Sequence, residues 1–325
     1  MSVREIRLPE DLQPLGEMLV KTFQYPENPE WGVQDDEAEE VRRQIRLLRR
    51  LWFLVRGVQF LSKPMRDLVR GYVWEEQGRL GAGVLYNRIG VTDRWSIGTV
   101  GVLPEFRRRG LARELVQRAL EDIRRRGGTH ASLAVIDKNV PAYSLYTHLG
   151  FSQYNSVIEY TRSSSEMPEA RALPEGMIEL RWRKSDWRPR YELARRITPE
   201  EIQTLSPIEE GQFRVPIPAR VLDPLLDAFR RARQGRAQIG YHGVVIGQMA
   251  YDTPGGGKGV SSIQARLDPA HPEAAEYMLG NMLRAVISIN PALRVQFSVP
   301  SWMQPLVEAA ERLGFTRRLT YHMLV

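Results

Sequence analysis

Val100-Gly101-Val102-Leu103-Pro104-Glu105-Phe106-Arg107-Arg108-Arg109-Gly110-Leu111-Ala112 is the stretch on which the fold turns. It opens as the end of a strand. Pro104 has no N–H to give and stops the ladder. A basic turn of three arginines follows. From Leu111 the spacing becomes helical, with Leu111, Leu115, Ala119 and Ile123 along one face. The helix therefore opens beside a glycine and an alanine, whose small side chains let an anion reach the backbone. Its first N–H groups have no partner inside the helix. A diphosphate can accept them, helped by the positive end of the helix dipole. A solvated basic turn before an ordinary amphipathic helix fits the turn alone equally well.

Working outward, the chain before this stretch carries a strand pattern at Val3–Leu8 and helical patterns at 11–23 and 35–60. The second of these starts acidic and ends basic, which suits the dipole. Residues 71–77 and 80–88 form a hairpin about Gln77-Gly78, and 95–102 is a third strand. After the helix at 109–126 come a strand at 130–137, a helix at 140–149 closed by Gly150, and a strand at 152–162. Residues 163–174 are polar, with two prolines, and have the composition of a linker. Then the same order returns. Strands are expected at 177–183, 237–242, 244–251, 261–267, 294–299 and 317–324, and helices at 188–195, 220–233, 273–289 and 305–313.

The return is an internal repeat. Val102-Leu103-Pro104 matches Leu267-Asp268-Pro269, and Tyr86 matches Tyr251, both displaced by 165 positions. Leu149-Gly150-Phe151 matches Leu313-Gly314-Phe315 at 164. The expected fold class is mixed α/β of the α+β kind: two tandem domains, each a mostly antiparallel central sheet flanked by helices. The expected boundaries are 1–162, a linker at 163–174, and 175–325.

The run V-x-P-x-x-R-x-x-G-x-A, from Val102 to Ala112, resembles the acyl-coenzyme A signature of the GNAT superfamily of N-acetyltransferases. A second family feature follows in the form N-x-x-A-x-x-L-Y-x-x-L-G-F, on Asn139, Ala142, Leu145-Tyr146 and Leu149-Gly150-Phe151. The likeness covers about residues 3–162. It implies that Val100 and Val102, on either side of Gly101, offer main-chain groups to the pantetheine arm. It implies that Arg107, Arg108, Arg109, Gly110, Leu111, Ala112 and Arg113 form the pyrophosphate loop, and that Asn139 contacts the coenzyme A arm. It makes Tyr146 the general acid to the leaving thiolate. A phenol suits that task, because tyrosine and thiol pKa values differ by only about two units. Packing in the core is the alternative role for Tyr146.

The resemblance leaves the base open. The family often places a glutamate where this chain has Ser96 or Ala134, and neither takes a proton at neutral pH. Glu75, Glu76, Asp93, His130 and Asp137 are candidates that spacing does not separate, and no base is assigned. Trp31, Trp52, Phe53, Phe60, Tyr72 and Trp74 would wall an acceptor pocket or pack in the core.

The second half departs from the pattern. At the repeat spacing Arg107, Arg108, Gly110 and Ala112 fall on Pro272, Glu273, Ala275 and Tyr277, while Asn139 and Tyr146 fall on Met303 and Ala310. This half resembles a degenerate GNAT domain. The loop Gly255–Gly259 with Lys258 opens no helix and is expected to be a hairpin connection.

Composition narrows the classes further. The chain has 325 residues, a net charge of +7, and only five lysines among 46 basic residues. Arginine excess suits phosphate recognition, and base composition of the genome explains it as well. There is no cysteine, so disulfides, thiolate ligands and a cysteine nucleophile are excluded. The five histidines make no metal spacing, and no metal is expected. No apolar run is long enough to span a membrane, and the opening MSVREIRLPEDL lacks the apolar core of a leader, so a cytoplasmic protein is expected. The sequence predicts an N-acetyltransferase with acetyl-CoA as co-substrate and a small-molecule or peptide amine as acceptor, transferring directly without an acyl-enzyme. The alternative is a non-catalytic acyl-CoA-binding protein. Nucleic acid is disfavoured as a partner for want of a reading motif. Oligomeric state is open.

Overall fold

A computed structural model describes residues 2–25, 28–32, 34–53, 56–57, 66–163, 165–181, 186–215, 233–254 and 259–325. Among them, residues 2–153 and 323–325 form one compact unit, and residues 154–215 and 233–322 form another.

Unit one runs β1 (Ser2–Glu5), α1 (Leu12–Thr22), a 3-10 turn (Pro29–Trp31), α2 (Asp35–Arg50), β2 (Arg70–Glu76), β3 (Arg79–Arg88) and β4 (Arg94–Val102). A second 3-10 turn (Pro104–Phe106) leads to α3 (Leu111–Arg125), β5 (His130–Ile136) and α4 (Val140–His148). The strands lie in the order β1-β2-β3-β4-β5. The first four are antiparallel and β5 is parallel to β4. Gln77 and Gly78 both take left-handed φ, 50° and 78°, the two-residue turn whose twist matches the hairpin. α2 opens with a capping box, Gln34 and Glu37 each bonding the other's backbone.

The two faces of this sheet are built differently. On one, α3 buries Leu115, Val116 and Ala119 completely, at roughly 1.5–3 kcal/mol for a large side chain. On the other, α1 rests on Gly83 and Gly101, which are register partners. A Cβ on Gly101 would stand 3.1 Å from Leu19, and one on Gly83 would stand 3.0 Å from Leu15. Those glycines set how close α1 lies to β4.

Unit two contains β6 (Gln153–Arg162), β7 (Met177–Arg181), α5 (Trp187–Ile197), α6 (Glu200–Leu205), α7 (Glu210–Phe213), β8 (Arg233–Tyr241) and β9 (Val244–Thr253). It continues with β10 (Val260–Leu267), α8 (Ala274–Ile289), β11 (Arg294–Pro300), α9 (Gln304–Arg312) and β12 (Thr316–Leu324). Its strand order is β12-β6-β11-β10-β9-β8-β7. β6 pairs antiparallel with β11, and β11 is parallel to β10. One face packs on α8, where Met278, Leu279, Leu283 and Val286 are fully buried.

The backbone carries the repeat more fully than the side chains do. The left-handed pair Gln77-Gly78 recurs as His242-Gly243, displaced by 165 positions. The bulge between Trp74 and Glu75 recurs between Ile239 and Gly240 at the same displacement. Gly150 and Gly314 both take left-handed φ after a helix.

Some expectations shift. The first strand ends at Glu5 rather than Leu8. α2 is regular to Arg50, and its expected extension to Phe60 ends outside the described residues. The helix expected at 220–233 also lies outside them, apart from Arg233, which opens β8. The short helices α6 and α7 were not expected, because six and four residues are too few to show a helical period.

A buried ionic group ties the sheet to α3. Asp122, 4% exposed, accepts from the Tyr86 hydroxyl at 2.7 Å and from Arg126 at 2.6 Å. Burial pushes its pKa up, and the bonds from Arg126 and Tyr86 outweigh that, leaving it below the ordinary carboxylate value. Asp122→Ala is expected to lower stability by about 1.5–3 kcal/mol at neutral pH, because it removes the charged acceptor of the Tyr86 hydroxyl and of the half-buried Arg126. Urea unfolding measures this. A depressed pKa gives stability above the unfolded pKa that is lost as pH falls through the folded one, so the difference from the parent should shrink in acid.

Candidate active site

The site grows from β4. Tyr86 of β3 opposes Ile97, but Leu85 opposes Thr99, so Gly98 is an extra residue in β4. Such a bulge takes main-chain groups out of the ladder and bends the strand. On the other side, the parallel ladder to β5 runs from Arg94↔His130 to Ile97↔Leu133. Both strands continue beyond that point, β4 to Val102 and β5 to Ile136. Gly98 and Ala134, in the interior of the sheet, are exposed. The strands part there and leave a slot floored by Val100, Gly101 and Val102.

The basic loop closes one end of the slot. Arg108 and Gly110 take left-handed φ of 64° and 74°. Residues that alternate in this way turn successive N–H groups toward one point, an anion nest. The backbone N–H groups of Arg108, Arg109, Gly110, Leu111, Ala112 and Arg113 make no hydrogen bond among the described residues. A Cβ on Gly110 would meet nothing within 4 Å. The concave end of α3 is therefore both open and lined with donors.

The arginines of the loop do different things. Arg107 donates from Nε to the Val102 carbonyl and from Nη2 to the Thr22 carbonyl, both at 3.3 Å, and so clamps the end of α1 to the end of β4. Arg109 lies over the Phe106 ring, 5.2 Å from its centre. Arg108 and Arg113 are exposed.

Asn139 caps α4, its Oδ1 accepting from the Ala142 N–H at 3.3 Å, with Pro141 in the first turn. Tyr146 follows on α4, 7% exposed and edge-on to Phe151. It belongs, with Val100 and Val102, to the apolar core of unit one. Burial first, and the neighbouring Tyr25 second, hold its pKa above the usual tyrosine value, so it stays a neutral proton donor.

Tyr25 is a residue that sequence reasoning missed. It lies between Phe23 and Trp31, 6.1 and 5.6 Å from their ring centres. Burial raises its pKa and the Arg107 guanidinium pulls it partly back, so its hydroxyl senses both Arg107 and Tyr146. No motif marks it, because it follows a helix as an isolated aromatic. Of the proposed pocket aromatics, Tyr72 and Trp74 are buried in the core, Phe53 is exposed, and Phe60 lies outside the described residues.

The base candidates are mostly engaged elsewhere. Glu75 accepts from Arg4 at 2.7 Å, Asp93 from Thr129 at 2.8 Å, and Asp137 from the Lys138 N–H at 2.8 Å. His130 lies beside the Thr129 hydroxyl. Among the described residues no group of three or more His, Cys, Asp or Glu is placed to hold a metal ion. Among them, too, no helix is long and apolar enough to cross a membrane.

Unit two builds the corresponding place differently. The β9–β10 ladder runs without a bulge from Ser262↔Asp252 to Leu267↔Gly247. At the start of α8 the Ala274 and Ala275 N–H groups donate to the carbonyls of His271 and Pro272. Glu273 stands at the N-cap position without a side-chain capping bond, and Tyr277 donates to Glu179 at 2.6 Å. Two of the first donors are filled, and Glu273 and Glu276 stand among them. The expected glycine-loop connection at 255–258 lies outside the described residues.

Residues 28–151 match the family model "Acetyltransferase (GNAT) family". Unit one thus carries a GNAT acetyltransferase domain. The chain is 30% identical to a mycothiol acetyltransferase of Thermobifida fusca over 44% of its own length and 41% of the relative's. It is 29% identical to a mycothiol acetyltransferase of Saccharomonospora viridis over 36% of each. These matches span only about two-fifths of the curated relatives. Among solved structures, a tandem GNAT protein from the clavulanic acid biosynthesis pathway superposes with a TM-score of 0.64 at 12% identity, covering 99% of this chain and 98% of that one. A GCN5-related N-acetyltransferase from Sphaerobacter thermophilus gives 0.65 at 16%, covering 99% and 94%. The chain has the tandem GNAT fold.

Replacing Arg107 tests the clamp. Arg107→Ala should lower stability by about 1–2 kcal/mol, the worth of hydrogen bonds from a charged donor, whereas Arg108→Ala should leave urea unfolding unchanged.

Proposed function

We propose that this chain is an N-acetyltransferase that moves an acetyl group from acetyl-CoA directly to a primary amine, a small molecule or a peptide, using unit one. The supporting observation is the contrast between the two helix starts. Unit one leaves six consecutive N–H groups, 108 to 113, without partners among the described residues. In unit two the Ala274 and Ala275 N–H groups already have acceptors. A diphosphate suits the first start and is repelled by the second, where Glu273 and Glu276 stand.

Acetyl-CoA supplies the acetyl thioester. The residues of the chain supply placement and a proton. The nest at 108–113, with the cations of Arg108 and Arg113, would hold the pyrophosphate. The unpaired edge of Gly98 to Val102 would hold the pantetheine arm by main-chain hydrogen bonds, as an added strand does. The displaced backbone at the bulge offers donors to the thioester carbonyl, where negative charge develops. Asn139 fixes the start of α4 and so the position of Tyr146. The Tyr146 hydroxyl would give its proton to the departing thiolate sulfur. The working domain is proposed to be 1–162, with 163–174 as linker and 175–325 as a degenerate partner. The similarity to mycothiol acetyltransferases supports acetyl transfer.

Calorimetric titration with acetyl-CoA tests the reading. One site per chain is expected, and Ala112→Glu should abolish it by placing a carboxylate in the nest. Two sites per chain, or binding that survives Ala112→Glu, would overturn the assignment to unit one. Tyr146→Phe should lower turnover by about 10²-fold, the low end for a lost general acid, with acetyl-CoA affinity retained. Because its pKa is raised, Tyr146 should impose no loss of rate at mildly alkaline pH in a pH–rate profile.

A further inference from the structure

α2 carries its charge in two blocks. The first holds Asp35, Asp36, Glu37, Glu39 and Glu40. From Val41 to Phe53 the chain then has five arginines and no acidic residue. Arg42, Arg46, Arg49 and Arg50 are exposed. Three and four residues separate them, so they form one row along the outside of the helix. On its inner side, Ile45 and Leu48 pack with Trp52 against Leu8 and Leu12. Ile45 also lies over Gly16 of α1. The apolar stripe of α2 is thus used on α1, and the arginine row faces outward.

This row lacks the counter-charges that other helices provide. Arg118 of α3 reaches Glu114, one turn back, at 3.0 Å, and Arg312 of α9 reaches Glu308 at 3.4 Å. On α2 the residue four before Arg46 is Arg42, and the residue four before Arg50 is Arg46. Like charges at that spacing weaken a helix. Arg42, Arg46 and Arg50 make no hydrogen bond or ion pair among the described residues. Arg49 donates to the uncharged side chain of Gln13.

We propose that this row docks unit one on an anionic lipid surface, with the guanidinium forks on headgroup phosphates. The face of a helix is convex and offers no groove to clasp an acidic chain, whereas a plane of headgroups needs none. Phe53, 69% exposed, stands just past the last regular turn. An exposed aromatic ring beside a basic row suits the headgroup layer. The acidic block ends at Glu40, about 9 Å along the axis from Arg46 and about 15 Å from Arg50, so the helix meets the surface by its basic end. The contact is peripheral and does not depend on how unit one binds coenzyme.

Cosedimentation of the full chain with lipid vesicles tests this. Vesicles of equal parts phosphatidylglycerol and phosphatidylcholine should bind the chain, and phosphatidylcholine alone should not. Arg46→Gln should weaken binding about fivefold, the worth of one cation near an anionic surface, and Arg42→Gln with Arg46→Gln about 25-fold. These effects should shrink as salt rises, whereas Phe53→Ser should weaken binding at every salt concentration. Arg195→Gln makes the same charge change at an exposed position of unit two and should leave binding unaltered. Equal binding to both vesicles, binding to neither, or an Arg195→Gln loss as large as that of Arg46→Gln would each overturn the proposal. Capture of duplex DNA or of a polyglutamate peptide in place of the mixed vesicles would overturn it as well.

Discussion

An α-helix leaves its first N–H groups without partners of its own, and unit one is organised around keeping those of α3 unfilled. Gly110 ends the preceding turn with a left-handed φ and no side chain, so nothing folds back over the donors. Arg107 and Arg109, the cations nearest the turn, are held by carbonyls and by an aromatic ring and do not crowd it. Unit two meets the same constraint in the opposite way. Its turn winds tightly enough for the His271 and Pro272 carbonyls to take the N–H groups of Ala274 and Ala275. One helix start is left open and the other is partly closed by its own turn.

The bulge at Gly98 and the parting of β4 from β5 serve the same end from the sheet side. A continuous ladder would satisfy every main-chain group of β4 internally. Interrupting it costs hydrogen bonds within the protein and leaves an edge inside the sheet rather than at its margin. The apolar cluster that includes Leu115, Val116 and Tyr146 holds the rest of the sheet firmly enough for this gap to persist. Beyond the gap, the buried Asp122 of α3 anchors β3 through the Tyr86 hydroxyl, and Arg125 and Arg126 at the end of the same helix hold its carboxylate in place.

Much of this was legible in the residues. The strand-turn-helix at 100–112 and the helix at 140–148 follow from local pattern and lie where periodicity puts them. The repeat was legible because glycine and proline mark backbone requirements that persist when side chains drift. What stayed hidden is what depends on partners far along the chain. The bulge at Gly98 exists only against β3, and nothing in β4 itself marks it. That Arg107 grips Thr22, 85 positions away, is invisible to a motif that only records a basic turn. Tyr25 enters the site through packing on Trp31 and has no spacing to announce it.

The close seating of α1 on Gly83 and Gly101 has a mechanical meaning. The helix rests on bare backbone of β4, and its last turn is tied through Thr22 to Arg107 at the mouth of the anion nest. Helix, strand end and loop are thus three bars of one linkage. A side chain added beneath α1, or a molecule pressing on its outer face, would be felt at the nest as a change of position. The loop before α3 therefore also registers the seating of a helix on the other face of the sheet.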